Sequence, residues 1–173
     1  MVSPGDLVIS VRDLGSDDIH VVGAKGAMLN EGFAVTHHAY FKFLRDNRLD
    51  IKIKHLLETI NFARGDSIAQ VSTYIKKLIT TSKVPDNIIY RIFGHYQDAK
   101  ATSVLVHLFV ISGDPLQNKV LEENVHHVSG EAVLFDTIRS LWSSLFEPQL
   151  LLYRFNNNLE HLKTGASVIV EKA

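Results

Sequence analysis

Lys25 stands between Gly23 and Gly26 in a turn of small residues that follows a short apolar run. Glycines let the backbone approach a ligand closely, and a lysine ammonium is a compact point charge suited to a phosphate. Gly-Ala-Lys-Gly is also ordinary surface-turn composition, so the residues alone leave both readings open. His107 interrupts an otherwise apolar stretch, Ser103–Ile111. It is either the hydrogen-bonded polar residue of a buried strand or a group turned toward a ligand. His37-His38 and His126-His127 are adjacent pairs, and neighbours on a helix or strand do not converge on one metal. Ser112-Gly113-Asp114 follows a strand-like run but lacks the flanking glycines of a hydrolase elbow. The chain has no cysteine, which excludes disulfides, thiolate zinc sites and thiol nucleophiles. Lys52, Lys54, Lys76 and Lys77 read as solvated helix faces.

The elements that must position these residues mix without clean alternation. Leu7–Val11 is a candidate first strand. Thr36 suits a helix N-cap, and the following segment to Asn47 carries Ala39, Tyr40, Phe43 and Leu44 at helical spacing. Asp50 is placed to cap a second helix with Ile53, Leu56, Leu57 and Ile60 on one face. A third starts at Asp66 or Ser67 and buries Ile68, Val71, Ile75, Leu78 and Ile79. Pro85 suits the first position of a fourth, which runs to about Tyr96. Ser103–Ile111 then reads as a buried strand, with a second strand inside Val120–Val128. Glu131–Phe146 is a strong amphipathic helix offering Val133, Leu134, Ile138, Leu141, Trp142 and Leu145 to a core. Pro148 opens a last helix, and Ala166–Glu171 alternates like a strand. Helices come first and strands cluster late, so the pattern predicts an α+β fold.

Composition sets the outer bounds. A chain of 173 residues with 46% apolar and 21% charged residues is globular rather than disordered. A net charge of −1 gives no long-range pull toward nucleic acid or anionic membrane. No run is long enough to span a bilayer and no signal-peptide pattern opens the chain, so a cytoplasmic protein is the expectation.

Two stretches carry a family resemblance. Val22-Gly23-Ala24-Lys25-Gly26-Ala27-Met28-Leu29 followed by Gly32-Phe33-Ala34-Val35-Thr36 resembles the opening of the nucleotide-binding domain of phosphoenolpyruvate synthases and pyruvate phosphate dikinases. Late in the chain, Val128-Ser129-Gly130-Glu131-Ala132, the run from Ile138 to Pro148 with Trp142 and Phe146, Tyr153-Arg154 and the final Ala166–Lys172 are similar in order and spacing to the same domain. The resemblance spans nearly the whole chain. It implies the first lobe of an ATP-grasp-like fold as one domain over residues 1–173. It also implies ATP and magnesium as cofactors, with Gly23, Lys25 and Gly26 at the phosphates. Asp114 and Glu123 match acidic positions of the family near the nucleotide.

The resemblance breaks where the family's strand carries an arginine on ATP phosphates followed by a hydroxyl pair. Here His107 takes the arginine position, and Leu108 and Phe109 replace the hydroxyls. A guanidinium is always charged, whereas an imidazole with an ordinary pKa of about 6.5 is mostly neutral at pH 7. Losing one charge-assisted phosphate contact costs roughly 1.5–3 kcal/mol. The chain also ends at Ala173, before the family's second lobe with its metal ligands, and before its phosphohistidine domain. The expectation is an ATP-binding lobe of a phosphotransferase, incomplete as a catalyst on its own. The second lobe or phosphohistidine domain would then act from another chain, or the sequence is a fragment of a longer protein. A degenerate, non-catalytic relative serving as an interaction or regulatory module is the alternative. An unrelated α+β binding domain is the third reading, and the match around Trp142 argues against it.

Overall fold

One sheet organises the residues that the computed structural model describes, which are 2–14, 32–98, 103–110, 117 and 125–173. Its strands are β1 (Val8–Ser10), β2 (Gly32–Val35), β3 (Val104–Val110), β4 (His126–Val128) and β5 (Ala166–Lys172). They lie in the order β1-β2-β5-β3-β4, and every pairing is antiparallel. The helices are α1 (His37–Asp46), α2 (Leu49–Glu58), α3 (Gly65–Thr81), α4 (Asp86–Asp98), α5 (Glu131–Ser143) and α6 (Pro148–Asn156). The fold class is α+β. None of the described helices is long and apolar enough to cross a membrane.

The two longest strands differ from what their sequences suggest. The C-terminal run alternates on paper, yet Ala166, Ser167, Val168, Ile169 and Val170 are all buried. β5 is the central strand, hydrogen-bonded on both sides, and both of its faces are covered over those five residues. Val168 and Val170 belong to the main core, whereas Ile169 joins Val2 and Ala34 in a small cluster against which Ile9 and Leu14 pack. β3 shows the reverse. Its near-continuous apolar run predicts burial throughout, but only Val104, Val106, Leu108 and Val110 are buried. Leu105, His107 and Phe109 point to the other face and are half-buried. Pleating puts alternate residues on opposite faces, and here helices cover one face of β3 far better than the other.

β2 is a strand that composition hides, since Gly32 and Ala34 have little β preference. The glycine is needed for close approach. A Cβ at Gly32 would stand 2.3 Å from the Val170 carbonyl oxygen. Thr36, at the end of β2, does not cap α1 with its side chain. Its buried hydroxyl instead donates to the carbonyl of Asp6 at 2.6 Å, fastening the N-terminal segment to the β2–α1 junction.

The helical layer follows the predicted faces with a few corrections. Arg48, in the left-handed region at φ 54°, precedes α2, and Asp50 falls inside its first turn rather than capping it. α3 begins at Gly65, and Pro85 stands before α4, its carbonyl accepting from the amides of Ile88 and Ile89. α5 gives way to a 3-10 turn at Ser144–Phe146. Gly130, at φ 92°, makes the entry into α5 and donates its amide to the Tyr96 hydroxyl at 3.1 Å. Helical spacing predicts Val133 in the core, but it is 51% exposed on the outer side of α5. Trp142 is wholly buried and packs on α1, with its ring centroid 4.8 Å from that of Phe43 and 6.0 Å from that of Tyr40. Ser72 of α3 donates to the Phe146 carbonyl at 2.6 Å, locking α3 to the 3-10 turn. Lys76 pairs with Glu147, whereas Lys77 is exposed as expected.

Candidate functional site

The face of the sheet away from Val104, Val106 and Leu108 is where the described residues gather polar groups. Register places them. His107 of β3 lies opposite Ile169 of β5, and Leu105 lies opposite Glu171 on one side and His127 of β4 on the other. Residues directly opposed across an antiparallel pair share a face, and diagonal neighbours sit about 7–8 Å apart. His107, Glu171 and His127 therefore border Leu105 on one surface. Phe109 extends this surface toward Ser167, its partner on β5.

Burial and charge act on His107 in opposite directions. Desolvation lowers its pKa below the ordinary imidazole value, and the Glu171 carboxylate pulls it back up by a smaller amount. The folded chain thus carries a neutral His107 at pH 7, able to donate or accept one hydrogen bond but not to supply a fixed positive charge. The strand also separates the two residues that follow His107. Leu108 is turned into the helical core, where a hydroxyl would need a buried partner, and Phe109 stays on the His107 face.

Of the residues singled out in the sequence, His107 lies among the described ones, in the predicted strand. Gly23, Lys25, Gly26, Asp114 and Glu123 lie outside the described residues. The sequence marks Glu171 only as the end of a strand. Its place beside His107 depends on the register between β3 and β5, which no local pattern reveals. Among the described residues no group of three or more His, Cys, Asp or Glu could hold a metal ion.

Comparison with known proteins decides the family. The family described as pyruvate phosphate dikinase, AMP/ATP-binding domain, matches residues 19–173. The chain belongs to this family. Among its relatives is a probable phosphoenolpyruvate synthase of Methanothermobacter thermautotrophicus, 29% identical over 192 residues that cover 98% of this chain and 28% of the relative. The phosphoenolpyruvate synthase of Helicobacter pylori is 26% identical over 93% of the chain and 22% of its own length. A rifampicin phosphotransferase of Bacillus cereus is 21% identical over 95% of the chain and 21% of its own length. The chain thus spans under a third of the curated relatives that it matches. Membership in an AMP/ATP-binding domain family makes the nucleotide the ligand to test against the His107 face. A half-buried, largely apolar surface with Phe109 and a neutral imidazole fits a nucleotide. It does not by itself neutralise a triphosphate, because His107 is neutral and Glu171, the charged group acting on it among the described residues, is negative. For magnesium, the described residues offer no fitting donor set.

Proposed function

We propose that this chain is the ATP-binding lobe of a phosphoenolpyruvate synthase-type phosphotransferase, an ATP-grasp-like first lobe forming one domain over residues 1–173 and working in the cytoplasm. The family match over residues 19–173 is the observation that carries the reading. Gly23, Lys25 and Gly26 would meet the phosphates, the glycines admitting close backbone approach and the lysine supplying the cation. His107 would face the same ligand as a neutral hydrogen-bonding group, with Asp114 and Glu123 at the acidic positions of the site. ATP, when bound, supplies the phosphoryl group, and magnesium accompanies it with ligands from elsewhere. The relatives carry the names of two different phosphotransferases, one of them named for rifampicin. The segment they share with this chain is therefore the nucleotide side of the chemistry rather than the side that selects an acceptor.

On its own the lobe is a poor catalyst. Phosphoryl transfer depends on positioning and on neutralising developing charge, and His107 provides no fixed cation where the family places an arginine. A second lobe or a phosphohistidine domain on another chain would act with it. The specific observation favouring the second reading, a non-catalytic interaction or regulatory module, is the same neutral His107 with apolar Leu108 and Phe109 beside it. An ATP-to-AMP turnover assay on the purified chain with magnesium and pyruvate separates the cases. Binding without turnover is the expected result. Sustained turnover abolished by Lys25→Ala would show that the lobe catalyses by itself and would overturn this reading.

A further inference from the structure

We propose that the helical layer binds a small monovalent anion of the chloride class between Arg154 of α6, Tyr40 of α1 and His161 of the 3-10 turn His161–Lys163. The site belongs to the helical side of the sheet and holds whether or not the chain binds ATP.

Arg154 and Tyr40 are wholly buried. Arg154 Nε donates to Gln117 Oε1 at 2.9 Å. Among the described residues neither Nη1 nor Nη2 of Arg154 has a hydrogen-bond partner, and the same is true of the Tyr40 hydroxyl and of His161 Nδ1. The Trp142 indole nitrogen is also unpartnered there, on a ring whose centroid lies 6.0 Å from that of Tyr40. A guanidinium carries five N–H donors and no acceptor, and an indole one donor and no acceptor. The cluster is therefore a set of donors gathered around a positive charge. Its members act on one another. Burial raises the Tyr40 pKa and the Arg154 charge draws it back, while burial and then the Arg154 charge lower His161 to about 4.

Buried polar groups in native proteins find partners, and a buried charge is strongly unfavourable without a counter-charge. Among the described residues no carboxylate pairs with Arg154. A water molecule would accept some of these bonds and leave the charge as it is. A small anion accepts from several donors at once and neutralises the guanidinium. Tyr40 can rotate its hydroxyl hydrogen toward the anion, and a neutral imidazole can carry its proton on Nδ1. Burial sets the size of the ligand. A nucleotide phosphate or a peptide carboxylate would have to open the core to reach Arg154 and Tyr40. His161 is only half-buried, with the Phe62 ring 6.2 Å away and nearly parallel, so a small ion has its shortest way in along this edge.

The test compares thermal melts of the whole chain in sodium chloride and in sodium gluconate at equal ionic strength, gluconate being too large for the site. Binding to the folded chain raises Tm by mass action, so Tm in about 100 mM chloride should stand about 3 °C or more above Tm in gluconate. Arg154→Met fills the position with an apolar chain of similar length and should abolish the difference. Tyr40→Phe removes one hydroxyl and should at least halve it. Arg64→Met, in an exposed pair with Asp66, should leave it whole. The Arg154 Nε–H resonance gives a local reading, expected to move saturably with chloride and to stay in place with gluconate. If Arg154→Met does not fold, Tyr40→Phe and this resonance decide. Equal Tm in the two salts, an undiminished difference in Tyr40→Phe, or a resonance indifferent to chloride would overturn the proposal.

Discussion

The two faces of the sheet differ in what they are built to do. On one, Val104, Val106, Leu108, Val168 and Val170 are buried beneath helices that add Phe43, Trp142 and Phe146. On the other, Leu105, His107 and Phe109 remain half-buried beside Glu171 and His127. Both rows of β3 come from one apolar run, so residue type alone does not tell them apart. Coverage does. The packed face specifies the fold of the pyruvate phosphate dikinase nucleotide-binding family, and the less covered face leaves apolar and polar side chains half-buried.

The comparison is broken most strongly from the packed side. Trp142→Ala would empty a site bounded by Tyr40 and Phe43 and should cost about 3–5 kcal/mol in chemical denaturation. Phe109→Ala, on the less covered face, should cost about 1 kcal/mol, because a half-buried ring leaves less of a cavity. Equal losses would mean that both faces are core.

Acid sharpens the contrast between histidines. His37 and His161 on the helical side are each held at about 4 by burial first, with a neighbouring positive charge adding to it, against about 6.5 when unfolded. Between these values the unfolded chain binds protons that the folded chain does not, so stability rises with pH across that window and is lost as pH falls from 6.5 toward 4. Both rings are partly exposed, and after solvent screening the two together should account for about 2–4 kcal/mol. Urea melts at pH 7 and pH 4.5 check this. His161→Phe, which keeps a ring against Phe62, should show a shallower pH dependence, and an unchanged slope would remove His161 from the account.

A smaller effect is expected at His107. Restoring a permanent cation with His107→Arg should tighten ATP binding about tenfold at pH 7.5, the worth of one charge-assisted contact. In the unaltered chain, affinity should rise as pH falls below 6.5, because proton uptake by a depressed imidazole near phosphate is then favoured. A flat pH profile together with no gain in the arginine variant would place His107 away from the phosphates.

Much of this was legible in the sequence. Helical spacing located the buried faces of α1 and α3, and the late apolar runs gave β3 and β5. The Gly-Lys turn and the Trp142 region together pointed to the family, whereas His107 marked a departure from it. Three kinds of information were not legible. Whether β3 is covered on both faces depends on tertiary packing, which a run of Val, Leu and Phe does not encode. Glu171 reaches the His107 face through a register set by pairing across sixty residues of chain. Val133 fits the helical period but lies at the edge of the apolar stripe, where a small rotation of α5 decides exposure.

The central claim, a nucleotide site in which Lys25 supplies the phosphate cation, is tested most directly by calorimetric titration of Mg-ATP into the unaltered chain, Lys25→Ala and Lys77→Ala. Lys77 is the appropriate control because it is exposed, whereas Lys76 pairs with Glu147. Measurable binding that weakens about tenfold or more in Lys25→Ala and is unchanged in Lys77→Ala is the predicted result. Equal affinity in the two variants, or no binding by the unaltered chain, would contradict it.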